Sequence, residues 1–223
     1  MSAATGKAAL TDWLSGLGLA LDDDQFERLD LFLSELRAAS ARVNLTADLD
    51  EESWWRRHIA DGLAAVGPLR ARLPDAPALL DLGAGAGFVG FAIKVAWPEA
   101  SVALLESSYR KFQFLNAAAA RLGSRGLRVF WRRAGAPAPA EQFDAVLERA
   151  LAPLPEAARL CLPLAKPGGL FVAWQSEAPR EGDSQLRAAL SPSGASLEEA
   201  LPYRLPGESR ERWLAIFRKG VNA

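Results

Sequence analysis

Hydrophobic residues in the first third of the chain recur at the three- and four-residue spacing of a helix. Four of them follow the acidic run at positions 22–24: Phe26, Leu29, Leu33 and Leu36. This spacing predicts a helix from about residue 22 to about residue 39, with one apolar face. A second set predicts another helix over residues 51–66: Trp55, Ile59, Leu63 and Val66. We therefore predict that residues 1–76 form a helical region.

Beyond Pro77 the pattern changes to short apolar runs separated by helix-like stretches. The runs occupy residues 78–82, 101–106, 127–131, 143–148 and 169–174. The intervening stretches with helical spacing are 89–96, 110–122 and 154–164. Strands that alternate with helices in this way form a parallel, doubly wound sheet with helices on both faces.

The chain ends differently, with two apolar runs and only a short turn between them. These runs, 197–205 and 210–219, predict an antiparallel pair that closes the sheet. Five parallel strands with a terminal antiparallel pair are typical of the Rossmann-like class I methyltransferases and not of nicotinamide dehydrogenases. We predict this seven-stranded α/β fold for residues 77–223, with residues 1–76 as a helical N-terminal cap on one compact unit.

Composition excludes several classes of protein. Hydrophobic residues make up 50% of the 223 residues and charged residues 24%, which is typical of a globular chain. One cysteine and one histidine are too few for a zinc site or an internal disulfide. The longest uncharged stretch, 82–93, is too short to span a membrane, and the N-terminus lacks the pattern of a signal peptide. We expect a cytoplasmic, monomeric protein that binds neither a metal nor a membrane.

Charge is balanced over the whole chain but not along it. The net charge is −1, from 26 basic and 27 acidic residues, which argues against a general polyanion binder. Residues 1–52 are strongly acidic, whereas residues 107–140 contain no acid and seven bases: Arg110, Lys111, Arg121, Arg125, Arg128, Arg132 and Arg133. The basic segment is a candidate RNA surface, and an ordinary solvated surface is the alternative. If it binds RNA, the acidic N-terminal helix has to face elsewhere.

The sharpest motif is the segment DLGAGAGFVG at 81–90, which follows the first predicted strand and opens a helix. Gly83, Gly85 and Gly87 allow a tight turn and let the backbone approach a ligand closely. Glu106 ends the next predicted strand, where its carboxylate would accept both hydroxyls of a ribose. The motif therefore predicts a nucleoside cofactor.

Two cofactors are compatible with this motif. Residues 85–90 also match the GxGxxG pattern of dinucleotide-binding folds, so an NAD enzyme is an alternative. Asp81 directly precedes the loop, where an anion would repel a pyrophosphate but would pair with the amino group of S-adenosylmethionine. Together with the terminal antiparallel pair, Asp81 favours S-adenosylmethionine, with S-adenosylhomocysteine as the product.

Several segments occur in a specific order along the chain. They are VNLT (43–46), RHIAD (57–61), DLGAGAGFVG (81–90), LLESSYRKFQFL (104–115), RRAG (132–135) and LERA (147–150). This ordered set, over about residues 25–175, resembles the bacterial 16S rRNA guanine-N7 methyltransferases, the RsmG or GidB family. The resemblance implies methylation of N7 of a guanine in the 530 loop of 16S rRNA, guanosine 527, with 16S rRNA or the small ribosomal subunit as partner.

The resemblance also assigns roles to individual residues. Those matching the family's cofactor positions are Gly83, Phe88, Glu106, Ala134, Gly135 and Arg149. Those expected at the mouth of the site or on substrate RNA are Asn44, His58, Asp61, Arg110 and Lys111. Arg149 ends the fourth predicted strand and is the candidate catalytic residue. The Asn/Asp-Pro-Pro-aromatic motif of exocyclic-amine methyltransferases does not follow this strand.

This chain departs from the family pattern at several positions. Val89 stands where the family usually has proline, Gly135 where it has glutamate and Gly62 where it has serine. Trp174 and Gln175 replace its lysine-glycine after the fifth strand. These departures leave two alternatives open: a methyltransferase acting on a small molecule or a protein, and a cofactor- and rRNA-binding module with weakened catalysis.

Overall fold

Seven strands form one mixed sheet at the centre of the protein. The computed structural model describes residues 3–41, 45–135, 142–180 and 182–221. The strands are β1 (Ala78–Leu82), β2 (Ser101–Glu106), β3 (Leu127–Trp131), β4 (Phe143–Arg149), β5 (Ala165–Gln175), β6 (Ser196–Arg204) and β7 (Glu211–Arg218). Their order across the sheet is β3-β2-β1-β4-β5-β7-β6, with β1 to β5 parallel and β7 antiparallel to both neighbours. The five predicted parallel strands and the terminal antiparallel pair are confirmed.

Helices form the N-terminal region and cover both faces of the sheet. Before the sheet come α1 (Ala3–Gly16), α2 (Asp23–Ser40), α3 (Glu51–Ser53), a π-helical turn (Trp54–Ile59), α4 (Ala60–Ala64) and α5 (Val66–Arg70). The later helices are α6 (Phe88–Ala96), α7 (Tyr109–Leu122), α8 (Leu154–Cys161) and α9 (Ser184–Leu190). Short 3-10 turns follow α8 at Leu162–Leu164 and α9 at Ser191–Ser193. None of the helices within the described ranges is long and apolar enough to cross a bilayer.

Local sequence explains where the cap helices begin and end. Asp22 and Gln25 form a capping box at the start of α2, because each side chain accepts a hydrogen bond from the backbone N–H of the other. The single helix predicted over 51–66 is instead divided into α3, the π-helical turn and α4. Pro68 has no N–H to donate to the carbonyl of Ala64. Because this hydrogen bond is missing, α4 ends at Ala64.

The cap packs onto the sheet through an aromatic contact centred on α2. Phe32 is fully buried, and its ring stacks on Phe91 of α6 with centroids 4.3 Å apart. Phe88 meets the same ring edge-on at 5.9 Å. Gly62 of α4 also packs closely against α6, since a Cβ at position 62 would lie only 2.8 Å from the Cβ of Ala92. The cap and the parallel strands therefore share one hydrophobic core.

The acidic helix α2 also packs against α7, contrary to the expectation that it faces away from the basic segment. Glu35 of α2 pairs with Arg121 near the end of α7, at 3.1 Å. The first turn of α7, which carries Arg110 and Lys111, lies at the opposite end of that helix. The sequence prediction failed because it treated charge as a property of whole segments. The ion pair between α2 and α7 involves only the C-terminal end of α7.

We propose that the cap and the sheet unfold together, and Phe32 tests this. Phe32→Ala should lower the free energy of unfolding by about 3–5 kcal/mol, because it leaves a cavity among packed aromatic rings. Urea denaturation followed by tryptophan fluorescence and by far-ultraviolet circular dichroism should give one shared, shifted transition. Leu17→Ala is the control, since Leu17 is 49% exposed and its truncation should change stability little. Separate transitions by the two probes would contradict the single unit.

Candidate functional site

A cavity of about 550 Å³ opens at the carboxyl edge of the parallel strands, beside the ends of β1 and β4. Ligand sites in open α/β sheets lie at this edge, and the volume is within the range for small-molecule sites, about 300–1,000 Å³. The loop between β1 and α6 lines one side of the cavity. Residues of the cap and of the C-terminal strands line the others.

Glycines shape the loop between β1 and α6. Gly83, Gly85 and Gly87 have φ angles of 78°, 60° and 90°, which residues with a Cβ rarely adopt. A Cβ at Gly85 would have no neighbour closer than the Gly83 carbonyl oxygen, 3.9 Å away, so a ligand meets bare backbone there. Gly87 packs beneath the loop, because a Cβ there would lie 2.6 Å from Leu115. Gly83 and Gly85 therefore line the cavity, and Gly87 serves the turn into α6.

Asp81 is a buried carboxylate at the end of β1 that lines the cavity. Its Oδ2 accepts a hydrogen bond from the backbone N–H of Gly90 at 2.9 Å. Burial raises the pKa of Asp81 to about 6, and the Gly90 bond and the charge of Arg149 offset only part of that effect. A cationic ligand group in the cavity would stabilise the ionised form.

Glu106 ties the glycine loop to the start of α7. Its buried carboxylate accepts hydrogen bonds from the N–H groups of Gly85, at 2.9 Å, and of Ser108, at 2.6 Å. The Ser107 hydroxyl also donates to Oε1, at 3.4 Å, so the second lone pair of Oε2 is the acceptor capacity left for a hydroxyl group. The contact with a ribose, expected from the sequence, stays a prediction.

A second buried carboxylate, Asp61 of α4, joins the cap to three strands at the cavity wall. Its Oδ2 accepts a hydrogen bond from Nη1 of Arg149 at 2.9 Å, and its Oδ1 accepts one from the hydroxyl of Tyr203 at 2.7 Å. Nη1 of Arg212 lies 3.8 Å from the same Oδ2. Asp61 is only 4% exposed and lines the cavity, where it holds Arg149. The contact with substrate RNA that the resemblance implied for Asp61 stays a prediction.

The charges around Asp61 fix the protonation of its partners. Burial and the charge of Asp61 raise the pKa of Tyr203 well above its usual value, so the hydroxyl stays protonated and donates. Burial alone would lower the pKa of Arg212, but Asp61 and Glu208 outweigh it and the pKa is raised. Arg149 ends β4 as a guanidinium, which has only donors and cannot act as a base near neutral pH.

The C-terminal strands supply cavity residues that the sequence did not reveal. Because β7 is antiparallel to β5, the start of β7 lies beside the end of β5, where Gln175 pairs with Trp213. Tyr203, Arg210 and Arg212 therefore line the same cavity as the glycine loop. The arginines at 210 and 212 are visible in the sequence, but they indicate no site until the strand order is known.

Trp174 and Gln175 at the end of β5 line the cavity at the position of the family's lysine-glycine. The indole Nε1–H of Trp174 donates to the backbone carbonyl of Asp61 at 2.9 Å. Trp174 therefore contributes to holding the cap against β5. Arg57, which belongs to the cap, and Arg210 are cations at the same cavity.

His58 and Phe88 meet where the cap touches the glycine loop. Their rings stack with centroids 4.6 Å apart, and Nε2 of His58 lies 3.1 Å from Oδ2 of Asp48. Burial and the charge of Arg149 lower the pKa of His58, so its ring is neutral near pH 7. Both side chains line the cavity. Asn44, predicted beside them, lies outside the described residues.

Besides Gly87 and Glu106, four other predicted site residues are absent from the cavity lining. Ala134 packs on the core beneath α8, and a Cβ at Gly135 would face Leu160 of that helix at 3.2 Å. Arg110 and Lys111 stand in the first turn of α7. Their contacts with cofactor and RNA stay predictions. Within the described ranges, no group of histidine, cysteine and carboxylate side chains is arranged to hold a metal ion.

Solved structures share this fold. Magnesium protoporphyrin IX methyltransferase from Synechocystis PCC 6803, solved with bound SAM, aligns with a TM-score of 0.60 and 16% identity over 90% of this chain and 99% of that chain. TrmN from Thermus thermophilus aligns with a TM-score of 0.55 and 20% identity, over 82% of this chain and 52% of that chain. The class I methyltransferase fold is therefore confirmed.

Sequence comparison gives a closer relationship. Ribosomal RNA small subunit methyltransferase G of Lachnoclostridium phytofermentans is 33% identical over 92% of this chain and 86% of its own length. The protein of the same name from Roseiflexus sp. is 37% identical over 85% of this chain and 82% of its own length. The family model described as rRNA small subunit methyltransferase G matches residues 25–201. The chain therefore belongs to the rRNA small subunit methyltransferase G family.

Proposed function

We propose that this protein transfers a methyl group from S-adenosylmethionine to N7 of a guanine in 16S rRNA, with guanosine 527 of the 530 loop as the target. One observation carries the proposal: a single cavity combines Asp81 and a glycine loop on one side with Arg149 and Arg212 on the other. The names of the relatives, which specify small-subunit rRNA, support the substrate class.

The residues of the cavity fit S-adenosylmethionine. Asp81 is an anion next to bare loop backbone at Gly83 and Gly85, which suits the amino group of the cofactor better than a pyrophosphate. Glu106 is one strand away, and its Oε2 keeps acceptor capacity for a ribose hydroxyl. When bound, the cofactor supplies a methyl group on a positively charged sulfur, which is an electrophile.

The proposed chemistry requires little of the protein beyond positioning. Guanine N7 carries a lone pair and is unprotonated at neutral pH, so its attack on the methyl group needs no general base. The cavity agrees with this, because Arg149 has only donors and cannot accept a proton near neutral pH. Holding two reactants in line contributes about 7–11 kcal/mol to lowering the barrier in favourable cases.

Arg149 is the residue best placed to hold the substrate. Asp61 accepts a hydrogen bond from Nη1 of its guanidinium, and the residue lines the cavity together with the glycine loop and the C-terminal strands. The planar fork presents several donors in fixed directions, which a lysine would not reproduce. We therefore assign Arg149 to orienting the guanine or the cofactor by hydrogen bonds.

Analysis of 16S rRNA tests the reaction and its target. In a strain that lacks this gene, mass spectrometry of nuclease fragments should show guanosine 527 without the methyl group found in the parent strain. The wild-type gene should restore the methyl group and the Arg149→Ala gene should not. Methylation of another nucleotide would contradict the target, and unchanged rRNA would contradict the reaction.

Cofactor binding should depend on the ionisation of Asp81. The affinity for S-adenosylhomocysteine should fall about tenfold per pH unit below about 6, because protonation removes the anion that pairs with the amino group. It should be constant from about pH 7 to 8. Calorimetry of the Asp81→Asn variant should show weaker binding without this pH dependence. NADH should not bind, and NADH binding without S-adenosylhomocysteine binding would overturn the assignment.

The Asp81→Asn substitution should also stabilise the protein. Because the pKa of Asp81 is raised on folding, the unfolded chain ionises this group first, and stability falls as pH rises from about 4 through about 6. Asp81→Asn should therefore have a higher Tm near pH 7 than the wild type. A lower Tm in the variant would mean that the folded protein compensates the ionised carboxylate by more than the hydrogen bond from Gly90.

Two substitutions separate the catalytic role of Arg149 from its structural role. Arg149→Ala should lower methyl transfer by about 100-fold or more and lower the free energy of unfolding by about 1.5–3 kcal/mol, because Asp61 loses a charged donor. Arg149→Ala combined with Asp61→Asn should recover much of the stability but none of the activity. Recovery of activity in the double variant would show that Arg149 acts only by neutralising Asp61.

A further inference from the structure

An exposed cluster of three aromatic rings lies outside the cavity lining, at the strand next to the one that ends in Glu106. It comprises Tyr109 and Phe112 of α7 and Trp131 at the end of β3, and we call it the aromatic cluster. The ring centroids of Tyr109 and Trp131 are 4.7 Å apart, and those of Phe112 and Trp131 are 6.3 Å apart. Tyr109 is 49% exposed and Trp131 is 55% exposed.

The rings of this cluster are held in place although they face solvent. The indole Nε1–H of Trp131 donates to the backbone carbonyl of Ser107 at 3.0 Å, so the only polar atom of that ring is used within the protein. Tyr109 and Phe112 are three residues apart on one helix, which places them on the same face. A fixed, contiguous aromatic surface exposed to water is typical of a binding site.

The aromatic cluster lies at the carboxyl edge of the parallel strands, the edge at which the glycine loop also lies. Trp131 pairs with Glu106 across β3 and β2, and the carboxylate of Glu106 binds the N–H groups of Gly85 and Ser108. The side chain of Glu106 therefore connects the strand next to the aromatic cluster to the glycine loop. Since β3 is an outer strand of the sheet, nothing in the strand order lies beyond it.

The charge around the aromatic cluster is positive. Arg110 and Lys111 stand between Tyr109 and Phe112 in the helix, and Arg133 follows two residues after Trp131. The chain has no acidic residue from 107 to 135. The neighbouring acid Glu35 pairs with Arg121 at the far end of α7, so it does not neutralise this end. The surface thus combines aromatic faces with cations.

We propose that the aromatic cluster is a stacking surface for unpaired bases of the substrate RNA next to the methylated guanine. Every base has a flat face that stacks on aromatic side chains, and cations beside such rings bind the phosphates that link the bases. This inference rests on the proposed function, since it names the part of the substrate that the protein contacts outside the cavity.

Alanine substitution at the two most exposed rings tests the stacking surface. The probe is a transcribed 16S rRNA fragment that carries the 530 loop, used with the full-length protein and S-adenosylmethionine. Each of Tyr109→Ala and Trp131→Ala should raise KM for the fragment about tenfold, since base stacking on one ring is worth about that much. The kcat should change little. Tyr109→Phe and Trp131→Phe keep a ring and should stay close to the wild type.

Salt dependence separates stacking from phosphate binding in the same assay. Tyr109→Ala should weaken RNA binding equally at all salt concentrations and leave the log–log slope unchanged. Arg110→Ala with Lys111→Ala should flatten the slope by about 0.7–0.9 for each phosphate that is no longer neutralised. Annealing a complementary DNA strand over the loop should abolish the difference between the Tyr109→Ala variant and the wild type. Leu197→Ala, at a 42% exposed apolar residue of β6, is the matched control and should have no effect.

The outcomes distinguish this proposal from the proposed function. If the wild type methylates the fragment and both alanine variants do so with unchanged KM, the stacking surface is wrong and the function stands. If both variants lose affinity for S-adenosylhomocysteine, the rings bind the adenine of the cofactor and the proposal is also wrong. In a third outcome the wild type binds the fragment without methylating it, and the Trp131→Ala variant binds it less tightly than the wild type does. The surface then binds RNA, and the reaction assigned above is wrong.

Discussion

The buried carboxylate of Asp61 is the constraint on which the arrangement of the site depends. A carboxylate removed from water is unfavourable by several kcal/mol unless hydrogen bonds and opposite charges compensate it. Arg149 and Tyr203 donate to it directly, Arg212 lies nearby and Trp174 binds its backbone. Because these partners come from β4, β6, β7 and β5, satisfying one carboxylate aligns the cap, the parallel strands and the terminal pair around the cavity. The orientation of Arg149 is a consequence of that alignment.

Asp81 shows the opposite balance between stability and function. It has one backbone hydrogen bond and no cation in direct contact within the described residues, and burial raises its pKa to about 6. The protein therefore keeps a poorly compensated anion at the place where the cofactor amino group is proposed to bind. Asp61 has its charge neutralised by the protein, and the charge of Asp81 is left for a ligand. Two carboxylates at one cavity thus have different roles because of their neighbours.

The two ends of helix α7, which lies in the basic segment, also have different roles because of their neighbours. At the end of α7, Arg121 pairs with Glu35 of the acidic helix α2 and contributes to joining the cap to the sheet. At the start of α7, Arg110 and Lys111 stand beside exposed aromatic rings. Charge count alone treats these residues as equivalent. Packing of α2 against one end of the helix makes that end structural and leaves the other end, with the proposed RNA surface, exposed.

The sequence by itself determined the strand order along the chain, the glycine loop and the places of Asp81 and Glu106, because these follow from periodicity and from neighbours in the chain. It also indicated the family, through motifs that are local. The tertiary structure decided that a π-helical turn interrupts the α-helix predicted over 51–66, that Asp61 is buried and that Tyr203 and Arg212 reach the cavity. Asp61 and Tyr203 are 142 residues apart, and only strand order and antiparallel register bring them within 2.7 Å. Local patterns carry no information about such distances, because they depend on how separate elements pack.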